Sequence, residues 1–254
     1  MPSPSFANRL LRLLGPAASE KLLPMLTKLP LKLRAVIESR GEPVRHVYFP
    51  ESGVVSVVVQ AGDKAAEAGL VGRDGMTGTQ LLLGDAISPN GCMVQLAGEG
   101  YRIETSQLLG FVDEHPEFRA LLLRYTHTFL IQSNQTSLAM RASLEQRLAR
   151  WLLMIHDRAT GPRLELTHEF MGLMLATRRA GVTVALHELE GKGLLKSTRG
   201  VVTITDRPGL EELAGPYYGI AEAEYDRIMP GAAIGHNSLR KQDGQATNAE
   251  EPRA

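Results

Sequence analysis

The sequence predicts an α+β protein in which a β-sandwich or barrel is followed by one long helix and then by three helices and a hairpin. Three observations carry this. Between His46 and Tyr101, short valine-rich runs such as HVYFP and VVSVVV are punctuated by Pro50, Gly53 and Gly62-Asp63, as short strands joined by tight turns would be. From Glu114 to Thr136 the apolar period changes to three and four residues. Beyond Arg141, three helical segments precede LLKSTRGVVTITD, which alternates on either side of Arg199-Gly200 as a hairpin does.

Taken in order, Asn8 to Ile37 carries leucines at helical spacing, broken by Gly15-Pro16 and Pro30, and predicts two or three short helices. The strands follow, and after a glycine-rich stretch MVQLAGEGYRI adds two more. In EHPEFRALLLRYTHTFLIQSNQT, residues Phe118, Leu122, Tyr125, Phe129 and Gln132 form one stripe along a single long helix. Such a stripe needs a partner, either the helix's own domain or a second copy of the chain. From Arg141 the order is helix (SLEQRLARWLLMIHDR), loop (ATGPRLEL), helix (THEFMGLML), tight turn, helix (TRRAGVTVALHELEGKG) and hairpin, the layout of a winged helix-turn-helix. A short helix is expected in PGLEELAGPYYG. The expected division is residues 1–113 for the β-domain with its N-terminal helices, 114–138 for the long helix, 139–218 for the winged helix-turn-helix, and 230–254 for a polar, disordered tail.

Composition limits the function classes. No apolar run approaches the roughly 18 residues of a spanning helix, and MPSPSFANRLLRLLG lacks the apolar block of a secretory signal, so a cytoplasmic protein is expected, away from any membrane. A single cysteine, Cys92, excludes an intrachain disulfide and a Cys-rich zinc or iron–sulfur site; no metal or cofactor is expected. An enzyme would have to place its site in GRDGMTGTQLLLGD, which matches neither phosphate-binding glycine motif, and Asp74, Asp85 and Glu99 lack a spaced histidine or nucleophile. No catalytic residue is assigned. The net charge of zero hides an asymmetry: His46 to His115 has three Lys/Arg against nine Asp/Glu, a net of −6, whereas Arg141 to Arg207 has eleven against seven, a net of +4. An acidic module joined to a nucleic-acid reader has this form.

The stretch LATRRAGVTVALHELEGKGLL carries the functional expectation. On a helical wheel Val182, Leu186 and Leu189 form the buried side, leaving Arg179, Ala180, Thr183, Val184 and His187 outward. Thr177 is the expected N-cap, followed at once by Arg178 and Arg179, where free N–H groups and the helix dipole favour an anion. In a helix-turn-helix this second helix enters the major groove, where arginine reads guanine and threonine reaches a base or a thymine methyl. Small residues at Ala180 and Gly181 would let it approach closely. Thr167 caps the preceding helix, Lys192 lies beyond the reading helix, and Lys196 and Arg199 put charge on the wing. The plain alternative is that Arg178 and Arg179 are simply solvated; their place on a capped helix after a tight turn, ahead of a basic hairpin, favours reading of double-stranded DNA.

LTHEFMGLMLATRRAGVTVALHELEGKGLL resembles the helix-turn-helix of the Crp/Fnr family of bacterial transcription regulators, through Leu166-Thr167, Gly172, Arg179, Val182, Leu186, Leu189-Glu190 and Gly193-Leu194-Leu195. HVYFPESGVVSVVV is similar to the first strands of that family's cyclic-nucleotide-binding-like barrel or jelly roll. The resemblance implies a homodimer joined along the long helix, a palindromic operator, and RNA polymerase as a candidate partner. It also implies departures. The family's reading helix opens with Arg-Glu and has a second Arg one turn on; here the positions are Arg179, Ala180 and Val184, so Arg178, Thr183 and His187 would have to supply the missing contacts. The family's nucleotide pocket offers Gly-Glu to the ribose and an Arg with a small hydroxyl residue to the cyclic phosphate. The matching stretches are Gly75-Met76 and Asn90-Gly91-Cys92, which supply neither the carboxylate nor the cation, so cyclic AMP is not expected to bind in the usual manner. A haem ligand from Cys92 or a histidine is the weaker sensor alternative, and a protein-interaction module with a silent helix-turn-helix is the competing reading of the whole.

Overall fold

The computed structural model describes residues 6–229 and residue 231. Asn8 begins the first helix, its side chain accepting from the N–H groups of Leu10 and Leu11, and α1 (Arg9–Arg12) and α2 (Pro16–Leu22) follow. A 3-10 turn, Leu23–Met25, completes the two or three short helices expected, but their range is shorter than expected, because the chain then turns to strands β1 (Thr27–Leu31) and β2 (Val36–Glu38). Pro30 explains the change: it cannot extend a helix, and in β1 it lies on a sheet edge where its missing N–H is tolerated.

The remaining strands of this region are β3 (His46–Pro50), β4 (Val54–Ala61), β5 (Lys64–Val71), β6 (Gly91–Leu96) and β7 (Gly98–Glu104). They form two antiparallel sheets, ordered β1-β7-β3 and β2-β6-β4-β5. The valine run begins where β4 is covered on both faces, from Val54 to Val57, and ends at an exposed Val59. Val55 and Val57 join Leu31, Val71 and Val94 in one core, while Val54 belongs to a different core with the C-terminal helices.

Next come α3 (Thr105–Glu114) and α4 (Pro116–Ala139). The break falls at His115 (φ −128, ψ 75), where Pro116 starts a new helix instead of continuing the old one. The expected stripe lies on α4 and is used within the chain: Phe118, Leu122, Tyr125 and Gln132 are all buried. A second row, Leu123, Leu130 and Leu138, is exposed at 37%, 56% and 48%.

The C-terminal part runs α5 (Leu144–Arg158), β8 (Arg163–Glu165), α6 (His168–Met174), α7 (Arg179–Gly191), β9 (Leu195–Thr198), β10 (Val201–Ile204), α8 (Arg207–Ala214) and α9 (Ile220–Ile228). A capping box of Ser143 and Gln146 starts α5. The segment expected as a loop before α6 contains β8, which adds a third strand in the order β8-β10-β9. Helix α9 was not expected from the sequence. It turns back onto α4, and its Tyr225 hydroxyl donates to the carbonyl of Asp74 at 2.5 Å while the Arg9 guanidinium stands 4.8 Å from the Tyr225 ring centre. The segment expected to be a disordered tail, 230–254, lies outside the described residues except for Gly231.

Buried polar contacts join α5 to the β-domain. Arg158 donates from Nε and Nη2 to the two carboxylate oxygens of Asp74, at 3.1 and 2.6 Å. Burial opposes the guanidinium's charge, but Asp74, Asp157 and Glu222 outweigh it, so Arg158 holds its proton more tightly than an ordinary arginine. Nearby, Trp151 Nε1 donates to Glu67 Oε1 at 3.0 Å and Ser56 Oγ donates to Glu67 Oε2 at 2.9 Å. Burial outweighs these hydrogen bonds and raises the Glu67 carboxyl to about 7.

Candidate nucleic-acid interface

The turn between α6 and α7 depends on two residues. Ala176 has φ 48, in the left-handed region, and the Thr177 N–H returns to the Gly172 carbonyl at 2.8 Å. Gly172 keeps this turn close: a Cβ would stand 3.0 Å from Thr177 O and 3.4 Å from Arg179 N, so a side chain there would push the turn's backbone away by a few tenths of an ångström. Thr167 caps α6 as expected, accepting from Phe170 N–H at 3.3 Å.

Helix α7 departs from expectation at its start. Arg178 (φ −76, ψ 146) is the flanking residue, and no side chain caps the helix. Thr177 is therefore one position too early to be the N-cap. Its hydroxyl lies beside Gly181, where a Cβ would be 3.3 Å from Thr177 Oγ1 and 3.2 Å from Leu144 Cδ2. Gly181 thus serves the fit of α7 against α5; of the two small residues, Ala180 alone is exposed. The first-turn N–H groups are left without a side-chain acceptor, at the end of the helix that favours an anion.

The expected faces of α7 are otherwise present. Val182, Leu186 and Leu189 are fully buried, and Arg178, Arg179, Val184 and His187 are exposed. Thr183 differs, being half-buried and engaged: its hydroxyl donates to Arg179 O at 3.1 Å and lies 2.9 Å from His168 Nδ1. His168 was missed in the sequence because it sits on the other helix, and no spacing within α7 points to it. Lys192 follows α7, Lys196 lies on β9, and Arg199 lies in the hairpin turn, all exposed. Among the described residues, none of Arg178, Arg179, Lys192, Lys196 and Arg199 has a carboxylate within 4.0 Å.

The β-domain contains a cavity of about 40 Å³ that borders Met76, Asn90 and Cys92 but not Gly75 or Gly91. Gly75 instead receives α4: a Cβ there would stand 2.0 Å from the Tyr125 hydroxyl, which donates to Met76 O at 3.2 Å. The turn facing the cavity is Thr77 to Gln80, with Gly78 at φ 72, so the second glycine of GMTGTQ was the better sequence signal. Among the described residues lining it, Glu38 is the one charged side chain. Its carboxylate is buried, and Oε2 accepts from Gln80 and Ser88 at 3.1 and 2.9 Å. Burial and the neighbouring Glu38 push the Cys92 thiol well above its ordinary range. Among the described residues, no three His, Cys, Asp or Glu side chains converge to hold a metal ion, and no helix is long and apolar enough to cross a membrane.

Residues 146–213 match a family model described as the Crp-like helix-turn-helix domain. The chain carries this domain within a Crp/Fnr-like fold. FixK2 of Bradyrhizobium japonicum superposes with a TM-score of 0.64 at 18% identity, covering 75% of this chain and 98% of its own. The c-di-GMP responsive global regulator CLP of Xanthomonas campestris gives 0.58 at 16% identity, covering 74% and 98%. A Crp-family transcriptional regulator of Thermus thermophilus gives 0.56 at 22% identity, covering 74% and 96%. At these identities the likeness is one of fold. No curated protein matches the sequence. The Crp-like domain spans α6, the turn, α7 and the hairpin, the elements that carry the unpaired cations.

Proposed function

We propose that this protein is a homodimeric, sequence-specific DNA-binding transcription regulator of the Crp/Fnr type, working in the cytoplasm without control by cyclic AMP. The observation that carries the reading is the outer face of α7, where Arg178 and Arg179 stand exposed, without acidic partners, at an uncapped helix start. Arg179 is the guanine reader, Arg178 and His187 supply further contacts, and Lys192, Lys196 and Arg199 hold the phosphate backbone. Thr177 acts as a positioning residue of the turn, since its N–H is bonded to the Gly172 carbonyl at 2.8 Å and its hydroxyl lies beside Gly181.

Two copies would join along the exposed row of Leu123, Leu130 and Leu138 on α4, because the other row is already covered. Their reading helices would then meet half-sites about one helical turn apart on a palindromic operator. RNA polymerase is the partner through which operator binding would act on transcription. The cavity supports independence from cyclic AMP: Glu38 brings negative charge where a cyclic phosphate needs a cation. The test is to incubate purified protein with fragmented genomic DNA and sequence what it retains. A shared inverted repeat is the expected result; retention without sequence preference, in every condition tried, overturns the reading.

A further inference from the structure

We infer that His168 belongs to the DNA-reading face and makes DNA binding proton-linked, its charged imidazole forming a contact to a phosphate oxygen. This rests on the regulator reading above, and it concerns a residue of α6 rather than of the reading helix. The geometry is a three-member chain: Arg179 O accepts from the Thr183 hydroxyl at 3.1 Å, and Thr183 Oγ1 lies 2.9 Å from His168 Nδ1. A hydroxyl has one hydrogen to give. With it directed at Arg179 O, the oxygen must accept from His168, so Nδ1 carries the hydrogen. Nε2 is then a bare acceptor in the neutral ring and becomes an N–H donor only when the ring is charged.

The surroundings disfavour that charge in the free protein. Burial, then Arg179 and His187 of α7, lower the pKa of His168 below its ordinary value. Strand β5 also packs on α6, but its Glu67 is committed to Ser56 and Trp151, and Lys64 is exposed at the strand's far end. Glu169, the neighbour on α6 itself, is exposed. A phosphate arriving beside Arg179 reverses the balance: it is the anion this cluster of two histidines and an arginine lacks, and a neutral Nε2 would only repel it. Binding DNA should therefore take up a proton at His168.

The test measures affinity for a retained operator fragment by fluorescence anisotropy from pH 5.5 to 8, at several salt concentrations, for the wild type, His168→Gln and, as a control outside the reading face, His46→Asn on β3. The wild type should bind more tightly as pH falls, by up to about tenfold per unit for one linked proton. Its salt dependence should steepen at low pH by about one phosphate contact. His168→Gln, which keeps an N–H donor but cannot titrate, should lose both effects while His46→Asn retains them. Should His168→Gln fold poorly, NMR titration of the wild-type His168 ring gives the same answer, with a higher pKa in the complex than in the free protein. Selective binding whose pH dependence is the same in His168→Gln, or an unchanged ring pKa, overturns this inference alone. No selective binding at any pH overturns the regulator reading and this inference together.

Discussion

Arg158 and Arg179 both belong to the basic half of the chain, and the structure uses them in opposite ways. Arg158 is 4% exposed and holds Asp74 through two hydrogen bonds, joining α5 to the β-domain. Arg179 is exposed on α7 with no carboxylate in reach. A net charge of +4 for the region cannot distinguish them, so the signal for recognition is cations left unpaired rather than cations in number. A paired, buried arginine fixes the frame, whereas an unpaired one is left for a partner.

Breaking the buried side of this comparison should have the largest effect. Asp74→Ala leaves Arg158 charged and unpaired in the interior and should destabilise the protein by about 3–5 kcal/mol, measured by urea unfolding. A loss below about 1 kcal/mol would mean that water replaces the pair.

Glu67, at the same joint, should give the next largest effect and an opposite sign. Its folded-state carboxyl titrates near 7 against an ordinary 4.5, so the folded protein keeps a proton that the unfolded chain releases. Its contribution is fully present below pH 4.5 and is lost as pH rises through 7. Glu67→Gln should therefore flatten the decline in stability across that window and stabilise the protein at pH 8 by about 2–3 kcal/mol. Parallel unfolding curves for the two proteins at every pH would remove the buried carboxyl from the account.

On the exposed side, Arg179→Ala should change the unfolding free energy by no more than about 0.5 kcal/mol. The same change should cost about 1–3 kcal/mol of operator discrimination by anisotropy. A variant that loses stability along with binding would place Arg179 in the frame after all. The smallest effect is expected at Ala176, whose left-handed backbone is strained for a residue with a Cβ. Ala176→Gly should raise the thermal midpoint slightly, corresponding to about 0.5 kcal/mol once glycine's extra unfolded-state freedom is subtracted. A lower midpoint would show that the turn tolerates alanine without strain.

Much of this architecture was legible in the sequence, for reasons that lie in local chemistry. The valine strands, the Arg199-Gly200 turn, the Thr167 cap and the buried row of α7 follow from periodicity and turn residues, which need no knowledge of the neighbours. What was not legible depends on what packs against what. Leucine spacing before Ile37 fits a helix or an edge strand until a pairing partner is known. The stripe from Phe118 to Gln132 gives no sign of whether its cover is the same chain or another. At the candidate site, Arg178, Arg179, His187, Lys192, Lys196 and Arg199 lie exposed as the sequence placed them, while Gly181, Thr177 and Thr183 acquire different roles from contacts with Leu144 and His168. Gly75 misled because glycine serves equally well where a ligand approaches and where an aromatic ring does.

Helix α9 has a mechanical consequence. The module containing α6 and α7 is entered through α4 and α5, and the chain leaves it through α8 to anchor again at Asp74, α4 and Arg9. The contacts of α5 with Asp74 and Glu67 and the packing of α6 on β5 already hold the module along one side, and α9 fixes its exit as well. Any reorientation of the reading helix therefore has to shear these contacts together, and cutting the chain after Tyr218 would remove the α9 anchor while leaving those of α5 in place.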